Sequence, residues 1–242
     1  MSVALIVIMG AMSFAVSMMR SNSTTIRSTR VTQDLRMTSE IIARELKRSG
    51  FNQNAIQLVT NAPYESSFDT MEWGATSASV ASDCRATRTA GQSSSCVVFS
   101  YDRPGVNDSN TSKAPTGEEY KGFRRIVLGT GTKQRGVVQM FVGTAGSDPS
   151  CDDGNDAAGW ITMTPPGINV TKFALSPTVS APISLSSLPG ATVKVRRIGI
   201  QIDGRPVSNV TMKNEYARQV CDEVRIRSDE VAYTPPTPPD TP

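Results

Sequence analysis

The sequence predicts an α+β protein in which one long amino-terminal α-helix packs on a mainly antiparallel β-sheet head with long loops. Three observations lead to this prediction. The first nineteen residues carry no charge, and neither glycine nor proline occurs from Ala11 to Ser49, so nothing in that stretch ends a helix. Beyond Phe51, short runs rich in Val, Ile and aromatic residues alternate with segments rich in Ser, Thr, Asn and Gly, which is typical of strands and loops.

The apolar segment at the start of the chain is long enough to cross a membrane as a helix. Residues 1–19 would span about 28 Å as a helix, just enough to cross a hydrocarbon core. A plain membrane anchor and a cleaved signal peptide are alternative interpretations of this run. A signal peptide has no need to continue as a helix into the mature protein, and here the pattern does continue, so we favour one continuous helix.

The second half of the predicted helix is amphipathic. Val31, Leu35, Ile42 and Leu46 recur at helical spacing and would form one apolar face. We expect this face to pack on the sheet. The helix should end at Ser49–Gly50, which gives it a length of roughly 70 Å.

The head contains seven runs with β-strand character. They are Cys96–Tyr101, Phe123–Leu128, Val137–Val142, Trp160–Thr164, Val170–Leu175, Val193–Ile202 and Val220–Ile226. The second and third flank a turn and predict a hairpin. In Val193–Ile202 the alternation of apolar residues shifts by one position, which predicts a β-bulge near Arg196–Arg197. Residues 52–94 and 104–119 are predicted to be loops.

Composition and charge argue against several classes of function. The chain contains no histidine, which removes Ser-His-Asp and Cys-His catalysis and the commonest zinc ligand. No spacing of acids singles out a catalytic pair, so we expect neither an enzyme nor a bound cofactor. Between Arg20 and Arg48 the net charge is +4, which leaves about −1 for the rest. A basic helix with a near-neutral head is not typical of a nucleic-acid-binding domain.

One acidic segment is a candidate metal site. Asp152, Asp153, Asn155 and Asp156 lie close together in sequence, and oxygen ligands in a loop can bind Ca²⁺. The segment lacks the EF-hand spacing, so an ordinary acidic turn is the alternative, and we predict no metal centre.

The four cysteines, Cys84, Cys96, Cys151 and Cys221, lie far from CxxC spacing. An even number of cysteines in a chain without histidine indicates two disulfides formed in an oxidising compartment. Buried free thiols are the alternative, and three pairings are open.

The amino-terminal segment resembles type IV pilin-like proteins. MSVALIVIMGAMSFAVSMM is similar to the apolar helix that follows the processing site of type IV prepilins. TSEIIARELKRSGF, residues 38–51, resembles the end of the helix in minor pilins of the PilW type and in J-type pseudopilins of type II secretion. LPGATVKVRRIGIQIDGR, residues 188–205, resembles a late strand region of the same families more weakly.

The resemblance implies an organisation and a function. Residues 1–29 would form the transmembrane and filament-core half of the helix, and residues 30–233 the head with the amphipathic half. The Pro-rich composition of residues 234–242 predicts a disordered tail. The protein would be a minor subunit in the initiation or tip complex of a type IV pilus, with a J-type pseudopilin or an anchored binding module or enzyme as alternatives. Its partners would be other minor pilins, the major pilin and the inner-membrane assembly platform, with no small-molecule substrate.

The resemblance also implies a location and a pairing of the cysteines. The head would be periplasmic while the helix lies in the bacterial inner membrane, and later would face outward from the pilus. We favour Cys84–Cys96, which closes a short Ser-rich loop, and Cys151–Cys221, which is similar to the disulfide near the carboxyl terminus of many pilins.

The processing Gly, the aromatic residue after it and the Glu of prepilins are missing from this sequence, and Arg20, Arg27 and Arg30 follow the apolar run. Basic residues mark the cytoplasmic side of an anchor, which conflicts with a periplasmic head. We therefore expect the gene to encode a basic leader upstream of Met1.

Overall fold

The computed structural model describes one helix and thirteen strands. The described residues are 2–53, 68, 70–74, 76–77, 93–103, 115–131, 134–143, 148–184, 191–207, 217–228 and 230–233. Helix α1 covers Ser2–Leu46. The strands are β1 Met71–Trp73, β2 Thr76–Ser77, β3 Ser93–Ser94, β4 Cys96–Ser100, β5 Tyr120–Leu128, β6 Arg135–Phe141, β7 Trp160–Thr162, β8 Ile168–Val179, β9 Ile183–Ser184, β10 Ala191–Lys194, β11 Arg196–Pro206, β12 Arg218–Arg225 and β13 Glu230–Tyr233.

The strands form three sheets, which together with the helix confirm the predicted α+β class. The first sheet has the order β1-β4-β5-β6-β7, the second β12-β11-β8-β3-β2, and the third β13-β10-β9. Every strand pair in the described part of the chain is antiparallel. The predicted hairpin is the β5–β6 pair, in which Leu128 lies opposite Arg135.

Helix α1 ends where the sequence offers a glycine. The last helical residue is Leu46, and Gly50 adopts a φ of 75°, a conformation that favours glycine. The Gly50 amide donates to the Ser100 carbonyl at 3.0 Å. Gly50, at which the chain turns away from the helix, is therefore also hydrogen-bonded to the end of β4.

The core lies between one face of the helix and the two five-stranded sheets. Val31, Leu35, Ile42 and Leu46 are all buried, and the last three have no exposed surface. The helix contacts β11 and β12 of the second sheet. Side chains of both sheets complete the same cluster, and they include Val97, Phe99, Phe123, Phe173, Leu175, Ile198, Ile200 and Ile202.

Leu35 contacts the second sheet at a glycine. A Cβ atom on Gly204 would lie 3.1 Å from Leu35 Cδ2, so the bare backbone of β11 allows the helix to approach closely. The register of the β8–β11 pair shifts between Asp203 and Gly204.

A second glycine marks the contact between the first and second sheets. A Cβ atom on Gly136 of β6 would collide with the Val170 carbonyl oxygen of β8, so no other residue fits there. The Gly136 amide donates to Asn169 Oδ1 at 2.8 Å, and Arg125 Nε donates to the Val170 carbonyl at 2.9 Å. The two sheets are therefore joined by hydrogen bonds as well as by apolar packing.

The predicted bulge at Arg196–Arg197 is wrong. The shift in alternation marks the point where the chain passes from β10 of the third sheet to β11 of the second. Val195 lies between these strands, and its amide donates to Ser180 Oγ while its carbonyl accepts from the Ser180 amide, both at 2.9 Å. The change of sheet explains the shift in the apolar pattern.

The loop prediction is partly wrong. Strands β1, β2 and β3 lie within residues 52–94, and each has only two or three residues, too few to show an alternation. The sequence patterns did not predict strands β9 and β13 either. The Pro-rich segment 234–242 lies outside the described residues.

We expect Leu35→Ala to destabilise the protein by roughly 2–5 kcal/mol, because it leaves a cavity between the helix and β11. Met37→Ala is the matched control, since Met37 is two residues away and 62% exposed. It should change the free energy of unfolding by less than about 0.5 kcal/mol. Urea denaturation followed by tryptophan fluorescence measures both. Equal effects of the two substitutions would contradict this packing.

Candidate functional site

The amino-terminal half of α1 is an exposed apolar surface. Every described side chain from Val7 to Arg27 is exposed, and Ser28 is the first buried one. The exposed large apolar side chains in this half are Val7, Ile8, Met9, Met12, Phe14, Val16, Met18, Met19 and Ile26. An exposed apolar surface of this kind is typical of a site that contacts another protein or a membrane.

The hydropathy of α1 bears on whether it could cross a bilayer. In the described part of the chain, no helix has a run that is both long enough and apolar enough to do so.

The carboxyl end of α1 is held by a buried polar cluster. The Tyr101 hydroxyl donates to Glu45 Oε2 at 3.1 Å, and Arg48 Nη1 lies 3.7 Å from Glu45 Oε1. Burial and the Glu45 carboxylate raise the pKa of Tyr101. Lys121 Nζ donates to the Val142 carbonyl at 2.8 Å, and burial lowers the pKa of Lys121. The Tyr101–Glu45 hydrogen bond therefore joins the end of the helix to the residue that follows β4, whereas the Lys121 hydrogen bond joins β5 to the residue that follows β6.

The predicted cysteine pairings are wrong. Cys96 forms a disulfide with Cys151, with Cα atoms 5.8 Å apart, so neither Cys84–Cys96 nor Cys151–Cys221 is present. Cys221 is also disulfide-bonded, and Cys84 lies outside the described residues. Spacing along the chain cannot choose among the pairings, because the pairing depends on how β4 and the loop before β7 meet in space.

The disulfide packs against a glycine. A Cβ atom on Gly74 would lie 3.0 Å from Cys96 Cβ and 3.2 Å from Cys151 Cβ, so a larger residue would press on the bridge. Next to it, Glu72 Oε1 accepts from the Ser150 hydroxyl at 3.0 Å and from the Cys151 amide at 3.1 Å. Strand β1 thereby helps to hold the loop of residues 148–159, which we call the Cys151 loop.

Arg124 holds the other side of the Cys151 loop. Its guanidinium is buried and donates to the carbonyls of Asp153 and Gly154 and to Gln139 Oε1. It also lies 4.1 Å from the centre of the Trp160 ring, a cation–π distance. Burial lowers the pKa of Arg124, and the Asp153 carboxylate opposes that effect.

The sequence did not identify Arg124 as a loop anchor. Adjacent arginines on a strand predict one side chain on each face, and Arg124 and Arg125 do point to different partners. The sequence does not show that Arg124 and Gly154, which are 30 residues apart along the chain, lie within hydrogen-bonding distance of each other.

The candidate calcium residues belong to this loop. Asp153 Oδ2 accepts from Trp160 Nε1 at 2.9 Å and from the Ser150 amide at 3.0 Å. Its carboxylate therefore stabilises the conformation of the Cys151 loop. Asp152 and Asp156 are exposed, as is Asn155, whose carbonyl accepts from Gln139. Among the described residues, no three His, Cys, Asp or Glu side chains are grouped so that they could hold a metal ion.

Comparison with known protein families identifies a match over most of the chain. The model of the family described as prepilin peptidase-dependent protein B, PpdB, matches residues 24–221. The chain belongs to this family. It is therefore a pilin-like protein of a type IV pilus or secretion system. No curated protein and no solved structure gives a significant match.

The match to the PpdB family covers the part of α1 that packs on the sheets and most of the head. It begins in the exposed part of α1, before the first buried side chain at Ser28, and extends to Cys221 in β12. The family therefore includes the contact between the helix and the sheets.

We expect Arg124→Lys to loosen the Cys151 loop, because a lysine cannot replace three hydrogen bonds made by one planar group. The free energy of unfolding should fall by roughly 1–3 kcal/mol. Amide hydrogen exchange in residues 150–160 should accelerate. Arg218→Lys is the control, since Arg218 is exposed and its guanidinium donates to the carbonyl of the adjacent Ala217. Unchanged exchange in Arg124→Lys would contradict the anchoring role.

Proposed function

We propose that this PpdB-family protein is a minor pilin-like structural subunit that takes part in the initiation or tip complex of a type IV pilus. The observation that supports this most strongly is the combination of the family match with the exposed apolar half of α1. A subunit whose helix is covered by other subunits requires this kind of surface. The proposed role is structural, not enzymatic.

The amino-terminal half of α1 would bind the helices of other minor pilins and of the major pilin after leaving the inner membrane. The head would first lie in the periplasm, where the inner-membrane assembly platform receives the subunit. The Cys96–Cys151 disulfide supports this location, because disulfides persist in the periplasm and not in the cytosol.

A J-type pseudopilin of a type II secretion system is the second candidate. It would have the same architecture in a different machine, and the family description fits both machines. An anchored binding module or enzyme is the candidate from a different class.

We expect Phe14→Asp to abolish assembly without unfolding the head. Phe14 is 66% exposed, so the substitution should leave the head intact, but it places a charge in the surface that other helices would cover. Asn22→Asp is the control, because Asn22 is exposed and lies in the polar part of the helix beyond Arg20. The measurement uses a deletion strain complemented with each variant. Surface pili and the secreted proteins of the type II pathway are both quantified.

Three outcomes separate the candidates. Loss of pili with normal secretion in the Phe14→Asp strain supports the minor pilin. Loss of secretion with normal pili supports the pseudopilin. If both are normal even in the deletion strain, the protein is neither, and the anchored binding module or enzyme takes precedence.

A further inference from the structure

Beyond Arg20, the exposed apolar side chains of α1 lie on one side of the helix. The large ones are Ile26 and Met37, which are 55% and 62% exposed. They are eleven residues apart, and at about 100° per residue they point in nearly the same direction. Leu35, which is buried in the head, is nine residues from Ile26 and therefore points the opposite way. Ile26 and Met37 thus lie on the side of the helix that faces away from the sheets.

This line continues into the amino-terminal half. Met19 and Met12 precede Ile26 by seven and fourteen residues and are 71% and 67% exposed. With the positions between them, they form a series spaced alternately by four and three residues. We call this series the seam, and its members are Met12, Val16, Met19, Ser23, Ile26, Arg30, Gln33 and Met37. Alternating spacing of three and four is the pattern by which one helix packs along another.

The polar members of the seam restrict the partner. Arg30 is exposed and lies between Ile26 and Met37, and a charged residue at a seam position sets partner and register at a cost in stability. The helix contains no acidic residue before Asp34, while Arg20 and Arg27 flank the seam. Two parallel copies of this chain in register would place Arg30 against Arg30, which is unfavourable.

We propose that the seam binds the helix of a different subunit, which presents apolar residues at the same spacing and Asp or Glu side chains level with Arg27 and Arg30. This proposal rests on the proposed function as an assembling subunit and specifies the partner of its helix. In the head-bound half, where the other exposed positions are polar or charged, the seam admits one partner helix. In the amino-terminal half the helix is apolar on more than one side and can contact several partner helices.

Site-specific photocrosslinking in the native host tests the seam directly. Benzoylphenylalanine is placed in the full-length protein at Ile26 or Met37 in one set of strains. In the control set it is placed at Thr25 or Arg36, which are exposed and point about 80–120° away from Ile26 and Met37. Tandem mass spectrometry identifies the crosslinked peptide. The expected result is a crosslink from the seam positions, absent from the control positions, to a helical segment of another pilin-like chain that carries a carboxylate near the attachment point.

A charge exchange then tests the role of Arg30. Arg30→Glu should lower the crosslink yield from Met37 about fivefold, because it turns an attraction into a repulsion worth on the order of 1 kcal/mol. Replacing the acidic residue found on the partner with Arg should restore the yield. Thermal unfolding of the purified Arg30→Glu protein should match the wild type, since Arg30 is exposed.

Several results would overturn the proposal. Equal crosslinking from Thr25 and Met37, crosslinks to a second copy of this chain or to lipid alone, or no crosslink at all would each do so. A partner segment without acidic residues, or no response to Arg30→Glu, would also overturn it. If pili still require the protein in these cases, the proposed function stands and only the assignment of the partner fails.

Discussion

The docking of one face of α1 on the sheets is the contact on which the rest of the structure depends. Between Ser21 and Thr32 the helix is rich in Ser and Thr, residues with low helix propensity. Their hydroxyls donate to carbonyls one turn earlier, as Thr25, Thr29 and Thr32 do. Further along, burial of the apolar face contributes roughly 1.5–3 kcal/mol for each large side chain. The close approach at Gly204 makes this contact specific to one position along β11.

The docked helix also orders the head. Its carboxyl end is joined to the first sheet by Glu45 and Gly50, while its buried face contacts the second sheet. The first sheet in turn carries the Cys151 loop, which is held by a disulfide on one side and by Arg124 on the other. Helix α1 is therefore connected through hydrogen bonds and packing to both five-stranded sheets and, through the first of them, to the Cys151 loop.

Local patterns in the sequence predicted the elements whose period is long and regular. The extent of α1, the apolar residues at Val31 and Leu35, and the central strands β4, β5, β6, β8, β11 and β12 all follow from such patterns. Features that depend on distances between remote segments of the chain could not be predicted from the sequence. They include the pairing of Cys96 with Cys151, the contact of Arg124 with the loop, and the division of one predicted strand between two sheets at Val195. Very short strands such as β2 and β3 exist only because neighbouring strands pair with them.

The central claim is that the head covers one side of α1 and that other subunits cover the rest. Oxidation of the native methionines by hydrogen peroxide tests this most directly, because exposed thioethers become sulfoxides faster than shielded ones. Met12, Met19 and Met37 are exposed, whereas Met140 is partly buried in the core. In the isolated subunit the first three should be oxidised rapidly and Met140 slowly. After assembly with the other subunits, Met12, Met19 and Met37 should become protected while Met140 remains unchanged. Equal oxidation of Met12, Met19 and Met37 before and after assembly would contradict the account.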